Sequence, residues 1–177
     1  LQMGGMHNVE NAVAAITVTH LLGIDGRLVK QKLAGFKGVK RRFEYVVKTN
    51  KMVYIDDYAH HPVEIKATLA TAKSIAEKRK SRVIAIFQPH RYSRIKDLFH
   101  DFTTCFSDSD KLYILDIYGA GEMPIDGVTS QALITEMVKL GARPEFIENH
   151  EDISEIIKSD ANSGDLIVMM GAGSISS

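Results

Sequence analysis

The segments Arg82–Phe87 and Asp165–Met170 are short, apolar almost throughout, and show no alternation of polar and apolar residues. A strand with one face in water alternates, whereas a strand buried on both faces reads as a nearly continuous apolar run. These two segments therefore call for a sheet covered on both sides. The intervening sequence supplies the cover, because its apolar residues recur at helical spacings of three and four. Pro62 suits the first turn of a helix, where its missing N–H costs nothing. That helix should run to about Lys80, with Ile65, Leu69, Ala72 and Ala76 toward the sheet. Ile95, Leu98, Phe102 and Cys105 form the next helical stripe, and Lys111–Ile117 reads as a strand. Thr129 or Ser130 caps a helix ending before Gly141, Pro144–Ile147 is a short strand, and Asp152–Lys158 is a helix with Ile153, Ile156 and Ile157 inward. Ahead of these, Phe43–Lys48 and Met52–Asp56 read as two strands joined by a tight turn through Asn50. The expected fold class is α/β and Rossmann-like: a mostly parallel sheet with helices on both faces and an N-terminal β-hairpin-like strand pair.

Upstream the pattern is purely helical. Val9, Ala12, Val13 and Ile16 share one face of a helix ending at Gly23, a usual C′ residue. A second helix spans Arg27 to Ala34, with Val29 and Leu33 inward. Gly35-Phe36-Lys37-Gly38 then breaks the pattern, which places a boundary between a helical part, 1–37, and a second domain, 38–177. The chain starts at Leu1, and Met3 and Met6 are unconvincing starts, so it reads as a piece of a longer protein. Lys+Arg and Asp+Glu are equal at 22 each. That balance argues against general attraction to nucleic acid or to an anionic membrane. A single cysteine, Cys105, allows no intrachain disulfide and suits the cytoplasm; its phenylalanine neighbours mark it as a buried small hydrophobe. There is no apolar run of membrane-spanning length and no signal peptide.

In an open parallel sheet, ligands collect beyond the C-terminal ends of the strands. Polar clusters fall at those ends: Asp56-Asp57-Tyr58-Ala59-His60-His61, Gln88-Pro89-His90-Arg91-Tyr92-Ser93-Arg94, Tyr118-Gly119-Ala120-Gly121-Glu122 and Gly171-Ala172-Gly173-Ser174. The first has metal-ligand chemistry in Asp56, Asp57, His60 and His61, with His90 as a further imidazole. Adjacent residues of an extended chain point in opposite directions, however, so few of these could reach one ion. A loop that caps the following helix and a site for a polar ligand are the other readings. Arg91 and Arg94, three apart at a helix start, suit a carboxylate or phosphate, or are simply solvated. Lys40, Arg41 and Arg42 are a solvated hinge or reach a phosphate between domains. Asn8 is either a helix N-cap or, with Asn11, a reader of a planar heterocycle. Gly-Ala-Gly-Ser is an anion-binding turn or merely a tight one. No Gly-x-x-x-x-Gly-Lys-Ser/Thr loop occurs in the chain, so ATP has no phosphate cradle here.

Taken in order, GGMHNVENAVAAI, GVKRRFE, DDYAHHPVEI, FQPHRYSR and DIYGAGEMPIDG resemble the Mur ligase family over residues 4 to about 174. The resemblance implies a three-domain, ATP-dependent, amide-forming ligase of peptidoglycan synthesis, of which this chain is the amino-acid-binding domain preceded by a helical remnant of the central ATP-binding domain. PHRYSR favours the branch that adds L-alanine to UDP-N-acetylmuramate through an acyl phosphate over the branch that recycles murein tripeptide. A stand-alone nucleotide-binding α/β module is a further alternative. The resemblance implies that His7, Asn8, Asn11, Arg42 and Asp57 meet ATP and that Tyr58, His60, Arg91 and Arg94 surround L-alanine. Arg42 and His60 are expected in catalysis. ATP and Mg²⁺ are expected to serve the whole enzyme, with their main ligands outside this chain and no metal site within it. Alone, the chain is expected to be inactive. Many family members carry Asp where Ser174 stands, which leaves the role of that position open.

Overall fold

The computed structural model describes residues 5–173 and residue 175; Ser174 and the side chain of His7 lie outside the described residues. A six-stranded sheet forms the body. In chain order its strands are β1 (Glu44–Lys48), β2 (Val53–Asp57), β3 (Val83–Phe87), β4 (Lys111–Leu115), β5 (Glu145–Ile147) and β6 (Leu166–Met170). Their spatial order is β1-β2-β6-β3-β4-β5. The β1–β2 pair is antiparallel and every other pairing is parallel, as the sequence predicts. Helix α3 (Pro62–Arg79) links β2 to β3, α4 (Tyr92–Asp97) and α5 (Phe99–Thr104) link β3 to β4, α6 (Ser130–Lys139) links β4 to β5, and α7 (Ile153–Asp160) links β5 to β6. The chain thus runs outward from β3 to β5 and returns to insert β6 between β2 and β3. That reversal opens a crevice at the strand ends.

The larger core lies between α3, α5, α6 and one sheet face, with Ile65, Leu69, Ala72, Ala76, Phe87, Phe102, Leu133 and Met137 buried in it. The smaller core, under α7, gathers Ile84, Ile86, Tyr113, Leu115, Ile153, Ile167 and Met169. Because β3 contributes alternate residues to both, all five of its side chains are buried. Cys105 is inside the larger core, and burial pushes its thiol up to about 12. At the N-terminal ends of the strands, Asp165 ties the layers together. It accepts from the Arg82 amide and guanidinium and from the Asn162 amide.

Two expectations need correction. The stripe Ile95–Cys105 is not one helix: the backbone at Leu98 turns to φ −116°, ψ 22° and divides it into α4 and α5. The apolar spacing survives the break, since Ile95 and Phe102 stay buried on either side. Nor is Asn8 a helix N-cap. Helix α1 (Met6–Leu21) begins earlier, with Gly5 at φ 95° in the cap position. Asn8 lies in the first turn and is buried. Helix α1 pairs with α2 (Gly26–Gly35), which Asp25 caps by accepting from the Arg27 amide at 2.7 Å.

Candidate functional site

The loops that follow β2, β3, β4 and β6 meet at one edge of the sheet. After β2, Asp57 is buried, and its two oxygens accept from the Phe43 and Ala59 amides, each at 2.7 Å. It therefore holds the turn before β1 and its own loop in place. His61 turns away as the cap of α3, accepting from the Val63 amide at 3.4 Å, while Glu64 reaches back to the amides of His60 and His61. This reciprocal capping is the helix-cap reading of the loop. It leaves Tyr58 and His60 facing the crevice edge.

A row of rings then crosses three loops. Tyr58 meets His60 edge-on at 5.2 Å between centroids, His60 meets His90 at 5.7 Å, and His90 stacks on Tyr118 at 5.6 Å. The last two are clamped by backbone: Arg91 N–H donates to Tyr118 O at 2.9 Å and Tyr118 N–H donates to Pro89 O at 2.8 Å. Gly173, after β6, makes room for the row, because a Cβ there would sit 2.8 Å from Gln88 Oε1 and 3.0 Å from Tyr118 Cγ. His60 Nδ1 lies 2.8 Å from Tyr58 O. A carbonyl can only accept, so Nδ1 carries the proton and Nε2 is the acceptor of the neutral ring. Burial, then the neighbouring His60, Arg94 and Arg91, hold His90 below the usual imidazole range. A neutral His90 accepts at Nδ1 from Arg94 Nη1 at 3.1 Å, and its carbonyl accepts from the same nitrogen at 3.1 Å.

The arginines bracket this row. Arg91 is half-exposed and stands 3.8 Å from Glu122. From the hinge side, the guanidinium groups of Arg41 and Arg42 lie 5.2 and 5.8 Å from the Tyr58 ring. Arg42 is also 3.7 Å from Glu64, while Arg41 donates to the carbonyls of Gly171 and Gly173. Among the described residues, five besides glycine have positive φ: Arg41, Phe43, Lys80, Arg91 and Ala120. Lys80 is the left-handed cap of α3. The other four lie in the turn before β1 and in the site loops. Such backbone strain, costing about 1–3 kcal/mol per residue, persists where surrounding contacts over-determine it and gathers at functional sites.

The structure thus brings Tyr58, His60, Arg91, Arg94 and Arg42 to one edge. Asn8 and Asn11 are carried instead on α1, with Asn11 exposed. The sequence reading gave no separate role to Arg41, Tyr118 or Glu122. Arg41 sat within a basic run that reads as solvated. For Glu122 a signal existed: an acid in a glycine-rich strand-end loop, opposite a loop with two arginines. Among the described residues no three His, Cys, Asp or Glu groups converge as a metal site. No described helix is long and apolar enough to cross a membrane.

Residues 41–173 match the family model described as Mur ligase, glutamate ligase domain. The UDP-N-acetylmuramate–L-alanine ligases of Rickettsia felis and Rickettsia prowazekii are each 55% identical over 98% of this chain. The chain spans little more than a third of the length of these relatives, 37% and 35%. Among solved structures, UDP-N-acetylmuramate–alanine ligase from Thermotoga maritima aligns with a TM-score of 0.77 and 30% identity, over 97% of this chain and 35% of that one. A murein peptide ligase from Psychrobacter arcticus aligns at 0.67 and 25% identity, over 98% of this chain and 35% of that one.

Proposed function

As this chain belongs to the Mur ligase family, we propose that its body, residues 38–177, is the amino-acid-binding domain of a cytoplasmic ligase that joins L-alanine to UDP-N-acetylmuramate. Residues 1–37 are the end of the central ATP-binding domain. ATP, with Mg²⁺, activates the muramate carboxylate as an acyl phosphate, and the alanine amine attacks it. The observation that carries this reading is the convergence of Arg91, Arg94, His60 and Tyr58 at a single edge of the sheet, together with relatives 55% identical over almost the whole chain.

Within this chain the roles divide by chemistry. Arg94 and Arg91 offer guanidinium groups to the alanine carboxylate, and a planar two-pronged donor matches it. His60, with Nδ1 engaged by Tyr58 O, presents Nε2 to take a proton from the alanine ammonium, giving the amine that attacks. Arg42, half-exposed on the hinge side of Tyr58, supplies positive charge where phosphate oxygens gain negative charge. Asn8 and Asn11 contribute carboxamides toward adenine, and the expected role of His7 there concerns a side chain outside the described residues. Asp57 fixes the loop that presents Tyr58 and His60, and we assign it the ribose contact as well. The residues here fit one side of an ATP site. The chain has no P-loop, so beyond Arg42 the main phosphate and Mg²⁺ ligands are assigned to the other domains.

The test is Arg94→Ala in the full-length ligase. Losing a charged partner of a desolvated carboxylate costs about 2–5 kcal/mol, so the KM for L-alanine should rise by about two orders of magnitude. The KM for ATP should stay within about twofold, since uniform loss would indicate general damage. An unchanged KM for alanine would refute the carboxylate assignment.

A further inference from the structure

Glu122 lies on the loop after β4 and reaches across to the segment that starts α4. Its Oε2 accepts from the Ser93 amide at 2.9 Å, and its Oε1 accepts from the Ser93 hydroxyl at 2.7 Å. Arg91 Nη1 is 3.8 Å from the same Oε1. The loop that carries Glu122 is itself fixed. Its amide donates to Gly119 O at 3.0 Å, and a Cβ on Gly119 would meet the Tyr92 ring at 3.0 Å. The segment that Glu122 grips is strained, for Arg91 has φ 70° and ψ 129°, a conformation that a residue with a Cβ rarely adopts.

The two arginines of this segment consequently differ. Arg91 shares its charge with a carboxylate, whereas the partners of Arg94 are the neutral His90 ring and its carbonyl. An arriving carboxylate finds an uncompensated guanidinium at Arg94 and competes with Glu122 at Arg91. Resting on the proposed alanine site, we infer that Glu122 is a positioning residue for the amino-acid carboxylate: it locks the Arg91–Arg94 turn through Ser93 and leaves Arg94 as the primary carboxylate partner. A carboxylate accepts from both Ser93 groups in charge-assisted bonds. A carboxamide could keep both contacts only by turning the Ser93 hydroxyl from donor to acceptor, and both bonds would then be neutral and weaker.

The experiment compares Glu122→Gln and Ser93→Ala in the full-length ligase. It measures the KM for L-alanine, the KM for ATP and the preference for L-alanine over L-alaninamide, which lacks the carboxylate. Glu122→Gln should raise the alanine KM about tenfold, hold the ATP KM within about twofold and cut the preference for alanine about tenfold. Ser93→Ala keeps the amide contact and should raise the alanine KM roughly threefold, in the same direction. An unchanged alanine KM in either variant overturns the inference. So does a lowered one in Glu122→Gln, which release of Arg91 from a competing anion would give, or an equal rise in both KM values, which marks a merely structural part. Arg94→Ala separates the two readings. If it raises the alanine KM and Glu122→Gln does not, only the positioning inference fails; if it too leaves alanine unaffected, the site assignment beneath it fails.

Discussion

Strand β3 and helix α1 are both rich in aliphatic residues, yet they end in opposite surroundings. Val83 to Phe87 are all 0% exposed, whereas Val9, Val13, Ile16 and Val18 are 41–56% exposed. The body closes its own core on both sheet faces. The α1–α2 pair buries little: between its helices runs an apolar groove of about 450 Å³ lined by Ile16, Ile24, Leu28 and Phe36, among others. Exposed apolar stripes of this kind mark contact surfaces. The difference teaches that apolar periodicity identifies a face but not its partner. Body and helix pair should therefore respond differently to the same kind of change.

The largest contrast is expected from core truncation. Phe87 packs against Phe102 and Phe106 with centroids 5.8 and 5.1 Å away, and Phe87→Ala should cost about 3–5 kcal/mol. Ile16→Ala should cost under about 0.5 kcal/mol, as exposed positions do. Urea unfolding of the 177-residue chain reads both, and equal losses would break the comparison.

A smaller effect comes from the polar tie at the strand starts. Burial alone would raise the Asp165 carboxyl, but the Arg82 hydrogen bonds and the Asn162 and Arg82 amides hold it below the usual carboxylate range. Asp110 is likewise held down, against burial, by Lys73 and the Val83 amide. A carboxyl lowered on folding contributes stability above its unfolded value of about 4 and loses it as pH falls through the lower folded value. The body should thus weaken below about pH 4. Asp165→Asn should cost about 2 kcal/mol at pH 7, with the gap to the parent narrowing below about pH 4. A constant gap across pH would contradict this. The smallest effect is local: amides of α1 should exchange hydrogen faster than those of β3 and β6 by opening that leaves the body folded. Uniform protection would show that the two regions unfold as one.

Much of the body was legible because its signals are local. The capping run at His61-Pro62, the Thr129 cap and the apolar runs each sit within a few residues of the element they define. The break at Leu98 was not, since the stripe Ile95–Phe102–Cys105 continues across it and periodicity does not register one altered backbone angle. The position of the site was legible too, because strand-end loops gather on one edge in any parallel sheet. The contacts within it were not. Glu122 to Ser93 spans 29 residues, and Arg41 to Gly171 spans 130, so neither pairing leaves a spacing to read. Asp57 shows the converse: a carboxylate in a polar motif reads as a ligand contact, and only the fold reveals that its oxygens hold two backbone amides.

The central claim is that this chain is the alanine-binding part of a larger ligase, and the most direct measurement is phosphate release. The full-length protein, given ATP and UDP-N-acetylmuramate, should release phosphate on addition of L-alanine and much less with murein tripeptide, while residues 1–177 alone should release none. Turnover or micromolar ATP binding by those 177 residues alone would contradict the account in favour of a self-sufficient nucleotide-binding module. Dependence on the tripeptide instead of alanine would place the domain in the recycling branch.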